Sequence, residues 1–318
     1  LLFKFLYKYF EYGIFHGFFK YKLLLIFLPF YLIFLLINII KLSTEKKIYL
    51  IHAFWIVPQG FIASLYKKLI KKNIKLIITG LGGDIYFFNN AIGKFIKKFT
   101  LKQVNSITVL SSALKNEVAN NYKINNIQII PLGIETNLFH PAKKNQEIKD
   151  ELGITDNFLL FVGRFSEKKG ISYLIKAMPN IIKEYPDIKL ILIGNGPLKD
   201  YLINLTKSLN IQANVKFLGP IPHKNLPQYF ATADIFIGPS TIAKNKDSEG
   251  LGFVFAEAAS SGCFVITTDF PAMSDIIKDN KTGFIVPQKN HRAIADKTVW
   301  ILNNKKDLIY ITNNARNH

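Results

Sequence analysis

Two glutamates stand eight residues apart in "SEGLGFVFAEAASSG", residues 248–262: Glu249 beside glycines, Glu257 within a run of small and apolar residues that reads as a helix. If that helix starts near Gly252, Glu249 lies just ahead of its N-terminus. The amides of Gly252, Phe253 and Val254 are then first-turn donors without intrahelical partners. Such donors suit phosphate or sugar oxygens, and carboxylates suit hydroxyls: Glu249 those of a sugar, Glu257 a vicinal diol such as a ribose. A plainer account has Glu249 capping the helix and Glu257 pairing with a surface lysine, and spacing alone leaves both open.

The complementary charge lies in "GRFSEKKG", residues 163–170, where Arg164 and Lys169 stand on a loop bounded by Gly163 and Gly170. Two cations at a helix start suit a diphosphate, although solvated surface cations need no ligand at all. In "GNGP", Gly194 and Gly196 flank Asn195 in a tight turn that either lets a ligand reach the backbone or is simply a turn. The Lys-Ser/Thr ending of a P-loop is missing there. The six histidines fall in no ligand spacing, Cys263 is the single cysteine, and no G-x-S-x-G occurs. Neither a metal site nor a serine nucleophile is indicated, so the chemistry rests on charge and hydrogen bonding.

These residues need a scaffold that brings loop ends together. "KIYLIHAF", "KLIIT", "SITVL", "IQIIP", "FLLFVG", "KLILIG", "VKFLG", "DIFIGP", "CFVITT" and "GFIVP" are short, β-branched and apolar, as buried parallel strands are, and helical stretches such as "ISYLIKAMPNIIKEY" separate them. The alternation predicts an α/β chain of two Rossmann-like, doubly wound domains, which bind ligands at the carboxyl ends of their strands. The polar segment "HPAKKNQEIKDELGITDN" marks the boundary, giving domains at 1–142 and 157–318 joined by a linker at 143–156.

Composition excludes a disordered or disulfide-built protein: of 318 residues, 49% are hydrophobic and Cys263 has no partner, which points to a reducing compartment and a buried structural thiol. The formal charge of +19 is uneven, with 21 basic against 7 acidic residues in 1–150 and 20 against 15 in the rest. That skew points to an anionic partner for the first half. Its aromatics cluster in apolar runs instead of interleaving with lysines, which argues against nucleic acid. Lys94, Lys97, Lys98 and Lys102 follow helical spacing, and Lys67, Lys68, Lys71 and Lys72 add a second basic group, a pattern that fits an anionic bilayer. "LLLIFLPFYLIFLLINII", residues 23–40, is at the lower length limit for a span, with Pro29 expected to kink it, and reads as a buried or membrane-apposed helix.

Taken in order, "GRFSEKKG", "IGNGP", "VKFLG", "DIFIGPS", "EGLGFVFAEAASSGCFVITT" and "DNKTGFIVP" resemble the retaining family-4 glycosyltransferases of the GT-B fold, from about residue 127 onward. The resemblance implies a hexose moved from a UDP- or GDP-linked sugar to a glycan or lipid-linked acceptor, without cofactor or metal. It places Glu249 at the transferred hexose, Glu257 at the ribose, Arg164 and Lys169 at the diphosphate, and Phe217 and Leu218 near the base. Gly163, Asn195, Gly196, Gly252, Phe253 and Val254 complete the donor site.

The first half is similar more loosely. "IHAFWIVPQG" carries Phe54 where the family commonly has a second histidine, and "TGLGGDIY" carries Leu81 at the usual histidine of an H-G-x-D loop, followed by Gly82, Gly83 and Asp84, the last expected among the catalytic residues. The family's opening strand and closing helix are not visible, so the first domain reads as incomplete and the chain as a piece of a longer enzyme. A non-catalytic nucleotide-sugar binder is the alternative. The basic helices imply peripheral attachment at the cytoplasmic face of the cell membrane, in surface polysaccharide or glycolipid synthesis.

Overall fold

The structure, a computed structural model, describes residues 28–243 and 251–318. Glu249 lies outside the described residues. The described residues divide into two compact units, residues 28–132 with Leu251 and residues 133–243 with 252–318.

The first unit runs α1 (Leu28–Glu45), β1 (Leu50–Phe54), α2 (Phe61–Leu69), β2 (Lys75–Gly80), α3 (Gly83–Tyr86), α4 (Ala91–Gln103), β3 (Ser106–Val109), α5 (Ser112–Tyr122) and β4 (Ile127–Ile129). Its four strands form a parallel sheet in the order β1-β2-β3-β4. Side-chain caps start two of its helices: Asn90 accepts from the Gly93 amide and Ser111 from that of Leu114. The expectation of uniformly buried strands fails at β1 and β4, which are the sheet's edges and leave Leu50, Phe54 and Ile129 exposed.

Helix α1 corrects a further expectation. None of its residues is buried, so it is not a core helix. Pro29 is the second described residue of this helix. By length and composition alone it is long and apolar enough to cross a membrane.

The second unit continues with α6 (Gln146–Glu151), β5 (Phe158–Val162), α7 (Ile171–Glu184), β6 (Lys189–Ile193), α8 (Lys199–Ser208), β7 (Val215–Gly219), α9 (Leu226–Thr232), β8 (Ile235–Gly238), α10 (Phe253–Ser260), β9 (Phe264–Thr268), β10 (Phe284–Val286), α11 (His291–Asn303) and α12 (Lys305–Asn317). Its six strands are all parallel, in the order β10-β9-β8-β5-β6-β7. Leu159, Phe161, Leu190, Leu192, Ile235 and Ile266 project from the central strands into one core with Leu174, Ile175 and Met178 of α7 and Ile294 and Ile301 of α11. Cys263, at the entrance to β9, is buried, and burial pushes its thiol pKa up, away from the reactive thiolate.

The expected linker is part of this unit. The division falls between Leu132 and Gly133, ten residues before the expected boundary at 142/143. Phe139, Ile148 and Ile154 are buried, and the Asn145 amide donates to Thr232 Oγ1 at 2.9 Å. The segment is polar on its outer side and anchored by a few apolar residues, a pattern too sparse to read as periodicity.

Candidate functional site

The order of the second sheet places a switch point between β5 and β8: the chain steps outward through β6 and β7, then returns to the other side of β5 as β8. Ligands in open α/β sheets bind in the crevice at such a point, outside the carboxyl ends of the strands. The loops that border it carry the expected cations.

After β5, Arg164 and Lys169 are half-buried. The Lys169 side chain lies back over Gly163, its Cε 3.6 Å from where a Cβ would stand. The loop is fixed from both sides. Toward β8, the Thr241 amide donates to the Lys168 carbonyl at 2.7 Å, and Gly170, at φ +63°, passes so near that a Cβ would overlap the Pro239 carbonyl oxygen. Toward β6, the Phe165 amide donates to the Asn195 carbonyl at 2.8 Å, and the Leu198 amide returns to Phe165 at 3.0 Å.

A Cβ on Gly194 would likewise overlap the Gly163 carbonyl, and one on Gly196 would crowd the Phe165 backbone. The glycines of "GNGP" therefore permit the close approach of the loop after β5. Asn195 Oδ1 is occupied by the Gly196 amide at 2.9 Å. Phe217 packs edge-to-face on Phe165 at 6.1 Å, and Leu218 sits at a register shift between β6 and β7.

Helix α10 begins at Phe253, one residue past the expected start, with Gly252 as its cap and the first return bond from the Phe255 amide to the Gly252 carbonyl at 3.1 Å. The Phe255 ring underlies both Gly238, the last residue of β8, and Gly252, which fixes the helix start to the strand end. The amides of Gly252, Phe253 and Val254 are the first-turn donors there.

Glu257, on the second turn, is buried, and its Oε1 bonds His223 Nε2 at 2.8 Å. This overturns the surface-lysine alternative. His223 opens a 3-10 turn after β7, its ring against buried Phe139 at 5.2 Å between centroids. The Phe139 carbonyl in turn accepts Ser260 Oγ from α10 at 2.7 Å and the Arg316 guanidinium from α12 at 3.2 Å. Sequence reasoning missed His223 because no spacing connects it with a glutamate 34 residues away on another element.

In the first unit Asp84 is 2% exposed. Its Oδ2 accepts from the Ile56 amide at 2.7 Å, and its Oδ1 from the amides of Leu81 and Gly82 at 3.0 and 3.1 Å. Burial raises its pKa, and these amide bonds work against the rise. Both oxygens of this carboxylate are committed to the backbone of Ile56, Leu81 and Gly82, which speaks against the direct catalytic contact expected of it. At the end of β1, Trp55 takes φ +77°, held by its amide on the Thr79 carbonyl and by the Gly60 amide on its own carbonyl. His52 Nε2, Thr79 Oγ1 and Thr108 Oγ1 form a polar chain across three strands at 2.7 and 2.6 Å.

Lys97, expected on an outward basic face, is 0% exposed. Its ammonium bonds the carbonyls of Ile85 (2.8 Å) and Phe87 and the Asn89 side chain (2.8 Å), closing the loop after Asp84. Among the described residues no three His, Cys, Asp or Glu side chains converge as metal ligands.

Two parallel α/β units with a switch-point crevice define a GT-B glycosyltransferase fold. Anabaena HepE, solved with UDP and glucose, superposes with a TM-score of 0.75 over 88% of this chain and 75% of that one, at 19% identity. The chain belongs to the glycosyl transferases group 1 family, whose model matches residues 144–318, and residues 24–111 match the glycosyl transferase 4-like family. An uncharacterized glycosyltransferase of Methanocaldococcus jannaschii is 33% identical over 66% of this chain and 54% of its own length. A GDP-mannose-dependent alpha-(1-6)-phosphatidylinositol monomannoside mannosyltransferase of Mycobacterium tuberculosis is 28% identical over 62% and 52%. The chain thus spans about half the length of these two relatives.

Proposed function

We infer that this chain is a retaining, metal-independent hexosyltransferase that takes its sugar from a nucleoside diphosphate and passes it to a glycan or lipid-linked acceptor. The observation that carries this is the switch-point crevice of the second unit, where the Arg164–Lys169 loop is tied by backbone bonds to the loop after β8 and α10 starts against the end of β8. Arg164, Lys169 and the first-turn amides of α10 would take the diphosphate and stabilise the charge that grows as it leaves, an effect worth roughly 3–4 kcal/mol per well-placed donor. Glu257 would take the ribose hydroxyls. Glu249, outside the described residues, is assigned to the hexose by the family pattern alone. Without an evident carboxylate nucleophile, departure and attack on the same face of the sugar is the mechanism we assign.

Support for a lipid-linked acceptor comes from the first unit. A cavity of about 310 Å³ is lined by Leu35 and Ile39 of α1, Ile51 and Phe54 of β1 and Ile62 of α2. On α4, Lys94, Lys98 and Lys102 share the outward face with Ile92 and Phe95, which are 65% and 71% exposed. Peripheral attachment to the cytoplasmic leaflet would use that face.

Calorimetric titration with UDP- and GDP-linked hexoses tests the reading. Binding of sugars carrying one of the two bases is expected, weakened by Arg164→Ala and by Glu257→Ala. Absence of binding to any of them would sink it.

A further inference from the structure

His223 is the polar side chain that meets Glu257 in the described structure, and nothing in the spacing of the sequence announces it. Because a carboxylate only accepts, Nε2 of His223 carries the hydrogen of the 2.8 Å bond. The two partners differ in exposure: the Glu257 side chain is 11% exposed and that of His223 62%. The carboxylate is therefore the buried member of the pair and the imidazole the exposed one. The imidazole ring rests on Phe139, and the Phe139 carbonyl is bonded to Ser260 of the same helix that carries Glu257. Histidine and glutamate are thus both tied to Phe139, one through its ring and the other through the helix that carries it.

We propose that His223 is a positioning residue for nucleotide recognition: it holds Glu257 by Oε1 so that Oε2 and the remaining lone pair of Oε1 face outward to accept both hydroxyls of the ribose. This rests on reading the crevice as a nucleoside-diphosphate-sugar site and deepens it by naming what sets selectivity for a ribose. A vicinal diol needs two acceptor directions in one plane. A glutamate free to rotate about its terminal bond offers them only part of the time, whereas one tethered through a single oxygen offers them continuously, at no cost in orientational freedom when the ligand arrives.

The test compares two ligands that differ only in the diol. UDP, GDP and the 2′,3′-dideoxy analogue of whichever binds are titrated calorimetrically into the wild-type chain, His223→Ala and His223→Gln. The wild type is expected to prefer the ribonucleotide by at least about tenfold, the share of a charge-assisted bond pair. His223→Ala should lower ribonucleotide affinity about tenfold and leave dideoxynucleotide affinity within about twofold; His223→Gln, which keeps an N–H donor of similar reach, should recover most of the loss. Equal weakening of both ligands in His223→Ala would reduce His223 to a structural group, and no change in either would detach it from Glu257 altogether; both overturn the proposal. If the wild type binds neither nucleotide, the donor-site reading itself fails and the proposal falls with it.

Discussion

Arg164 and Lys169 stand on a loop bonded to two neighbouring loops, so on the function proposed above they are set before a ligand arrives. A guanidinium chelates two phosphate oxygens at once, which an ammonium cannot do. Arg164→Ala is expected to lower kcat/KM for donor-sugar cleavage by about 10²–10³-fold, with Arg164→Lys recovering only part of it, as measured by steady-state release of the nucleoside diphosphate. A fall confined to KM would mean the side chain only binds substrate. How much of this was legible in the sequence follows from how each residue gets its partner. The cations and Glu257 sit within short motifs whose local order survives folding, so their places on the loop after β5 and on α10 could be read. His223 could not, because its partner is supplied by tertiary structure, and neither could the enclosure of Asp84, because a carboxylate bonded to three amides looks in sequence like one left free.

Helix α4 makes the same point at the scale of an element. Its lysines at 94, 98 and 102 keep to one side, while Lys97 lies about 60° from Lys94 around the axis, on the buried side with Gly93, Thr100 and Leu101. Burial lowers the Lys97 pKa to about 8 from 10.5, with Asp84 opposing the shift. The unfolded chain keeps this proton up to about pH 10.5 and the folded chain releases it near 8, so between those values the unfolded state binds more protons and stability rises with pH. The wild type should gain on the order of 3 kcal/mol relative to Lys97→Met between pH 7 and 10.5, read from urea unfolding at each pH. A difference that does not vary with pH would show that the buried amine does not titrate in this window. Strand positions were legible throughout, because a short β-branched run between turns has few other uses. Edge position was not, since β1 and β4 carry the same residues as their neighbours and differ only in what lies beyond them.

For the molecule as a whole, the excess of base in residues 1–150 predicts partition onto anionic surfaces. Sedimentation with vesicles containing phosphatidylserine should be strong at low salt, fall steeply above about 0.15 M, and be reduced several-fold by Lys94→Glu with Lys98→Glu and Lys102→Glu. Binding that survives charge reversal would move the contact to another face of the chain. Cys263 has a consequence of a different kind. As the chain's one thiol, sealed at the mouth of β9 with its thiolate disfavoured, it reacts with an alkylating reagent only when the second unit opens. Under excess reagent, the gain in mass of the intact chain then runs as a clock on that opening, with no label introduced, and slowing of the clock by a nucleotide reports occupancy of the crevice before any substrate has been identified.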